Sequence, residues 1–420
     1  GILALVHDEV PAFILNEYGG LKGDAPTFFK DQVKKIVNAH RLMGANRCGE
    51  KWSPCGNEHF LPVEWTTLNP ESKRRLAEML SFDAVSRWDF NMVEFAKLSN
   101  GSPLLFVGWA IMGSPFSQQA MAIDFGQDSR VETNGYNFVT QFSIHMPILC
   151  SFFRTVEADY LANPYHNNTH AADVLQTINT MLQLGGKEYA SSPLDLFSIL
   201  VAAAIHDVRH PGLNNNFQIN THSELAIQFN DISVLENNSI TWLFKKLLGP
   251  NRDFTIDIFN GLSDEQFSKM RVIIIRSVLE TDMTHHFSLL KRMGLHQEML
   301  RGKETEEWFK SYTIEGVKYD PSIDMLCFLL HQADISNPAK PFPLFTLWAE
   351  KILEESYAQG DQEASLSLSK SPLCDRLTTD KKQSQLGFIK FVVQPSYQLL
   401  GDILPLFEKT VSPHIERSLK

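Results

Sequence analysis

Four side chains in this 420-residue sequence have the types and surroundings to hold a metal ion: His170, His206, Asp207 and Asp334. They fall in three short stretches: Tyr165-His166-Asn167-Asn168-Thr169-His170, His206-Asp207-Val208-Arg209-His210, and His331-Gln332-Ala333-Asp334-Ile335-Ser336-Asn337-Pro338. Imidazole and carboxylate suit a dication such as zinc, whereas carboxylate and water suit magnesium or manganese. A carboxylate beside a histidine can also bridge to a second ion, the two-metal arrangement used on phosphate esters. A single histidine would read as an ordinary core or surface residue. Here the segment 193–205 is apolar almost all round, as a buried helix is, and His206 and Asp207 stand at its end. Burying that pair is costly unless a metal or partner compensates. His166 and His170, four apart, share one face if they lie on a helical turn.

The elements that must converge these groups are helices. Asn69 before Pro70 marks a helix start. Apolar residues at three-to-four spacing then predict helices over 86–98, 104–113, 137–158, 171–184, 193–206, 222–230, 234–248, 263–279, 286–293, 321–334, 343–358 and 382–400. Strand alternation is nearly absent and no repeat is visible, so the fold class is all-α. Residues 114–136 read as a surface excursion. Residues 359–381 read as a loop, although Ser365-Leu366-Ser367-Leu368 alternates like a short strand. Residues 1–75, punctuated by Gly and Pro, read as an irregular, partly helical extension ahead of a domain over 76–420. Cys48, Cys55, His40 and His59 do not have zinc-knuckle spacing.

Composition narrows the partners. Lys and Arg number 38 against 49 Asp and Glu, a net charge of −11, which argues against nucleic-acid or anionic-membrane binding. An anionic substrate must then be attracted locally, and bound metal is the obvious source of positive charge. Five scattered cysteines, Cys48, Cys55, Cys150, Cys327 and Cys374, read as reduced thiols in a cytoplasmic protein. No run approaches a membrane span. Gly1 suggests that an upstream regulatory region has been removed; oligomeric state is not readable.

Taken together, Tyr165-His166-Asn167-x-x-His170-Ala171-Ala172-Asp173-Val174, His206-Asp207-x-x-His210-Pro211-Gly212, Glu280-Thr281-Asp282-Met283 and Ala333-Asp334-Ile335-Ser336-Asn337-Pro338 resemble class I cyclic nucleotide phosphodiesterases. The likeness continues through Gln359-Gly360-Asp361, Pro372-Leu373-Cys374-Asp375 and Ser384-Gln385-Leu386-Gly387-Phe388-Ile389, and covers roughly residues 80 to 415. The resemblance implies a compact multi-helix, HD-type catalytic domain with a binuclear metal site. It implies Zn2+ on His170, His206, Asp207 and Asp334, with Asp207 shared by a second ion, Mg2+ or Mn2+. It further implies hydrolysis of 3′,5′-cyclic nucleotides to 5′-nucleotides by a metal-bridging hydroxide, with His166 as general acid. Outer support would come from His210, Glu236, Thr281 and Asp282. The base pocket would use Tyr165, Asn337, Ile352, Gln385 and Phe388, with Asn337 leaning toward cAMP over cGMP. Asn238-Ser239 stand where many relatives carry His-His. With Asn168-Thr169 and Gln394-Pro395, they match no mammalian branch and are compatible with a protozoan member. Two other readings compete: an HD-type phosphohydrolase on another nucleotide, and an inactive nucleotide or metal sensor. The Gln385-x-x-Phe388 pair argues against the first, and the intact His166, Asp207 and Asp334 against the second.

Overall fold

The structure, a computed structural model, describes residues 59–127, 134–300, 308–314 and 316–420. Asn69 accepts from the Ser72 amide at 2.9 Å and Pro70 opens the helix behind it, as the sequence predicts. The principal helices are α1 (Pro103–Met112), α2 (Met146–Ala158), α3 (Asn168–Gln183), α4 (Pro193–Ile205), α5 (Val234–Leu248), α6 (Asp264–Leu279), α7 (His286–Leu300), α8 (Pro321–Asp334), α9 (Phe342–Ser365), α10 (Lys381–Phe388) and α11 (Gln394–Ile403).

Their layering follows from which faces are apolar. α4 is buried on every side from Phe197 to Ile205, so it takes the centre, packed on α3, α6 and α8. α3 in turn packs on α1 and α8. α6 opens with a capping box in which Ser263 and Gln266 satisfy each other's backbone amides. α3, α4 and α8, which carry or lead into the four proposed ligands, are therefore largely enclosed. Of the 1–75 extension, residues 1–58 lie outside the described residues. The part that follows joins the core: Trp65 is fully buried with Phe106 and Trp109, and its indole donates to Asp124 at 2.9 Å.

Several expected boundaries move. The excursion over 114–136 contains a helix, Phe116–Asp124, whose buried Ser117, Ala120 and Met121 form a stripe too polar to stand out in the sequence. The expected helix over 137–158 breaks between Gln141 and Met146, where Ser143 adopts φ 52°. α9 runs past 358 to Ser365, so the Ser-Leu alternation is a helix end and turn, not a strand. The turn is pinned, because Glu363 accepts from both the amide and the hydroxyl of Ser371 at 2.6 Å. One hairpin does occur, β1 (Tyr312–Ile314) with β2 (Val317–Tyr319), in the register Tyr312 opposite Tyr319. Its strands are too short to show alternation. It is fastened by the Tyr312 hydroxyl to Asp324, which also pairs with Arg276 at 2.6 Å.

The segment 382–400 is not one regular helix. α10 passes through a π-helical turn, Ile389–Val393, into α11, with Pro395 in the first turn beyond it. Proline has no amide hydrogen, and the backbone ladder adjusts around it. Cys150, Cys327 and Cys374 are buried free thiols, and burial pushes Cys327 up to about 12. Cys48 and Cys55 lie outside the described residues. Among the described residues, no helix is long and apolar enough to cross a membrane.

Candidate active site

Asn167 fixes the entry to α3. Its side chain accepts from the amides of Thr169 at 2.9 Å and His170 at 3.3 Å, an N-cap that starts the helix at Asn168. His170 is thus inside the first turn and fully buried, whereas His166 precedes the cap. This corrects the expectation that both histidines share a helical face. Their rings lie 5.7 Å apart because the chain turns at Asn163, whose amide donates to the carbonyls of His166 at 2.8 Å and His210 at 2.7 Å.

His170, His206, Asp207 and Asp334 converge, with all ligand atoms within 4.8 Å of one another. His170 Nε2 lies 3.1 Å from Asp334 Oδ1 and 3.5 Å from Asp207 Oδ2. His206 Nε2 lies 3.1 Å from Asp207 Oδ2, 3.4 Å from Asp334 Oδ1 and 3.3 Å from His170 Nε2. Ligand atoms about 2.0–2.2 Å from a first-row dication are separated by roughly 3.0–3.5 Å, so these spacings fit such an ion. The hydrogen bonding agrees. His206 Nδ1 faces the Ala203 carbonyl at 2.8 Å, which makes it the donor and leaves Nε2, in the neutral ring, presenting a lone pair to two carboxylates. Lone pairs gathered at one point need a cation between them. Without a cation a proton takes that place: burial alone would lower the His206 pKa, but Asp207 and Asp334 outweigh it and raise it well above the ordinary imidazole range. Burial alone would raise Asp207; the imidazoles of His206 and His166 reverse that and hold it far below the usual carboxylate range.

A second cluster joins His166, His210 and Glu355. The Glu355 carboxylate accepts from His166 Nδ1 and from the amides of Tyr165 at 2.8 Å and His166 at 3.0 Å. Burial would raise its pKa, yet these contacts, His166 first, bring it down to about 2. His166 Nε2 then faces Asp207 Oδ2 at 4.0 Å. His210 stacks on His166 with ring centroids 3.9 Å apart and accepts from the Gly212 amide at 3.0 Å. Burial, then the neighbouring His166, pushes His210 down to about 3, so it stays neutral. Sequence reasoning missed Glu355. Its only signal is a carboxylate on the buried face of α9, between Leu353 and Tyr357.

Residues 165–414 match the family described as 3′5′-cyclic nucleotide phosphodiesterase (PDEase_I). The chain belongs to this family. A dual specificity calcium/calmodulin-dependent 3′,5′-cyclic nucleotide phosphodiesterase 1B of Mus musculus is 39% identical over 280 residues, 66% of this chain and 48% of the relative. A 3′,5′-cyclic-AMP phosphodiesterase 4C of the same organism is 35% identical over 342 residues, 80% of this chain and 44% of the relative. The chain thus spans about half the length of these relatives. The phosphodiesterase domain of the RhoPDE fusion protein from the choanoflagellate Salpingoeca rosetta superimposes with a TM-score of 0.64 at 27% identity. It covers 82% of this chain and 96% of that one. Membership implies divalent metals, and the His170, His206, Asp207 and Asp334 cluster is the candidate place for them.

The remaining residues singled out from the phosphodiesterase resemblance divide in two. Glu236 is close enough to Asp282 and Asp207 to feel both charges. Asn215 donates to Glu236 at 3.0 Å, and burial pushes Glu236 up to about 7. Ser233 donates to Asp282 at 2.8 Å, and Thr281 donates to the Val278 carbonyl at 2.7 Å, a helix-end bond. Ser239 is buried and donates to the Val208 carbonyl at 3.1 Å, next to Asp207. Tyr165 is walled in by His166, His170 and Trp348, and its hydroxyl accepts from the Asn337 amide. Asn337 Oδ1 is buried without a partner. Ile352 on α9 and Gln385 and Phe388 on α10 are half-buried, and Phe388 packs against the core.

Proposed function

We propose that this domain hydrolyses 3′,5′-cyclic nucleotides to 5′-nucleotides, with cAMP favoured and cGMP possible, and so ends cyclic nucleotide signalling. One observation carries the reading: a four-ligand metal cluster whose Asp207 lies 4.0 Å from a histidine backed by a buried carboxylate. His170, His206, Asp207 and Asp334 would hold Zn2+, and Asp207 would also serve Mg2+ or Mn2+; the ions would supply an activated water and neutralise the phosphodiester.

The chain's own residues do the rest. Glu355 accepts the Nδ1 proton of His166 and orients the ring, leaving the Nε2 proton for the O3′ leaving group. Neutral His210, stacked on His166, keeps the ring from swinging without competing for that proton. Gln385 offers an amide that can donate and accept, which suits a purine edge, while Phe388 and Ile352 supply apolar faces. Asn337, tethered to Tyr165, restricts which way that edge is read.

Turnover of cAMP and cGMP by protein stripped with a chelator and titrated with Zn2+, Mg2+ and Mn2+ tests this. Four side chains hold the first ion and one serves the second, so two well-separated affinities are expected. Full activity without a divalent ion, or a metal-loaded protein that turns over neither nucleotide, would sink the proposal. Gln385→Ala addresses the base wall. Losing its paired contact should cost about 1–3 kcal/mol, mainly in KM, because base contacts are equal in ground and transition states. Unchanged KM for both nucleotides would move the base elsewhere.

A further inference from the structure

Lys340 is 1% exposed in the middle of the domain, six residues after Asp334. Its ammonium donates to Thr177 Oγ1 at 2.6 Å and lies 3.5 Å from Asp173 Oδ1. It also stands over the Trp88 ring, 5.1 Å from the centroid. The Trp88 indole donates to the Ala339 carbonyl at 2.7 Å, and the Lys340 amide donates to the Asn337 carbonyl at 3.2 Å. The short 3-10 turn Asn337–Ala339 is therefore closed by the Lys340 amide and held from outside by Trp88. Asp173 and Thr177 are on α3, one and two turns beyond His170. Their partner follows the turn that leaves Asp334. The ion pair thus joins α3, which carries His170, to the chain just beyond α8, which ends at Asp334.

Stability alone does not account for such a pair. Removing both charges from water costs several kcal/mol per ion, and well-packed apolar replacements are often as stable. Burial pulls the Lys340 ammonium below the ordinary lysine range, and Asp173 only partly opposes this. The second Asp173 oxygen is buried without a partner. What the pair does supply is one direction of approach, a property that apolar contacts lack. The group it aims is Asn337, whose Nδ2 holds the Tyr165 hydroxyl and whose Oδ1 is buried and unpartnered.

We infer that Lys340, through Asp173 and Thr177, is a positioning residue that sets the Asn337–Tyr165 wall of the substrate pocket. This rests on the cyclic nucleotide reading above, and the experiment keeps the two apart. Lys340→Met and Asp173→Asn each leave a buried group without its partner and should lower Tm. The double variant removes both charges and should recover most of that loss, with metal content unchanged. A purely structural pair would then give wild-type kinetics. The inference expects KM for cAMP to remain raised by about tenfold with kcat within about threefold, and the cAMP-to-cGMP ratio of kcat/KM to shift. Thr177→Val, which keeps the ion pair and the fold, should raise KM by about threefold, and it decides the matter if the double variant does not fold. Wild-type KM and nucleotide ratio in the folded variants would overturn the inference. A wild-type protein inactive on both nucleotides would overturn the functional reading and, with it, this role.

Discussion

His166→Ala should lower kcat on a cyclic nucleotide by about 10²–10⁴-fold, roughly 3–5 kcal/mol, while bound metal stays at the wild-type level. The leaving group is an alkoxide and needs its proton in the transition state. An analogue with a very good leaving group does not, so it should lose far less. The fold should tolerate the change because His166 stands outside the Asn167 cap, and Glu355 keeps two backbone donors when the imidazole is gone. Metal analysis and the two rates on one preparation check this. Equal losses on both substrates would remove His166 from the acid role.

Asp207→Ala should do more damage and of a different kind. A single oxygen, Oδ2, lies within 3.1 to 4.0 Å of His206, His170 and His166, so it belongs to both clusters at once. Its loss takes a charged ligand from the cluster and leaves the imidazoles of His170 and His206 with Asp334 alone. Activity should fall by about 10⁴-fold or more, at least about 5 kcal/mol, and equally for good and poor leaving groups. Metal content should fall in parallel. Retention of both metals with a loss confined to poor leaving groups would reverse the roles assigned to Asp207 and His166.

How much was legible beforehand depended on the length scale of the signal. α4 was readable because thirteen nearly uninterrupted apolar positions can only be buried, and the polar pair at its end then demanded a partner. The convergence of His170 and Asp334 on that pair was legible only from their residue types and the phosphodiesterase resemblance. His166 was misplaced because four-residue spacing says nothing about where a cap falls, and Asn167 put the boundary between the two histidines. Glu355 was invisible because a glutamate on a long, mixed-polarity helix looks like a solvated one until its partners, 189 and 190 residues away, are known. The hairpin was too short for its period to register, and the buried stripe of the helix at Phe116 was too polar. The Lys340 pair likewise depends wholly on tertiary contact.

The π-helical turn at Ile389–Val393 has a practical meaning for anyone wishing to retune this domain. Such a turn is an α-helix carrying one surplus residue, and each residue of an α-helix advances the chain by 1.5 Å and by about a quarter-turn or slightly more. Deleting one residue there takes out the surplus one, while Pro395, which has no amide hydrogen, still leaves a rung of the ladder unmade. The price is paid in direction: Gln385 and Phe388, upstream of the splice, would swing about the axis relative to Tyr397, whose hydroxyl is anchored to the Gln332 carbonyl at 2.8 Å. A single codon removed between 389 and 393 should therefore re-aim the wall proposed for the purine, while His170, His206, Asp207 and Asp334 stand on other elements.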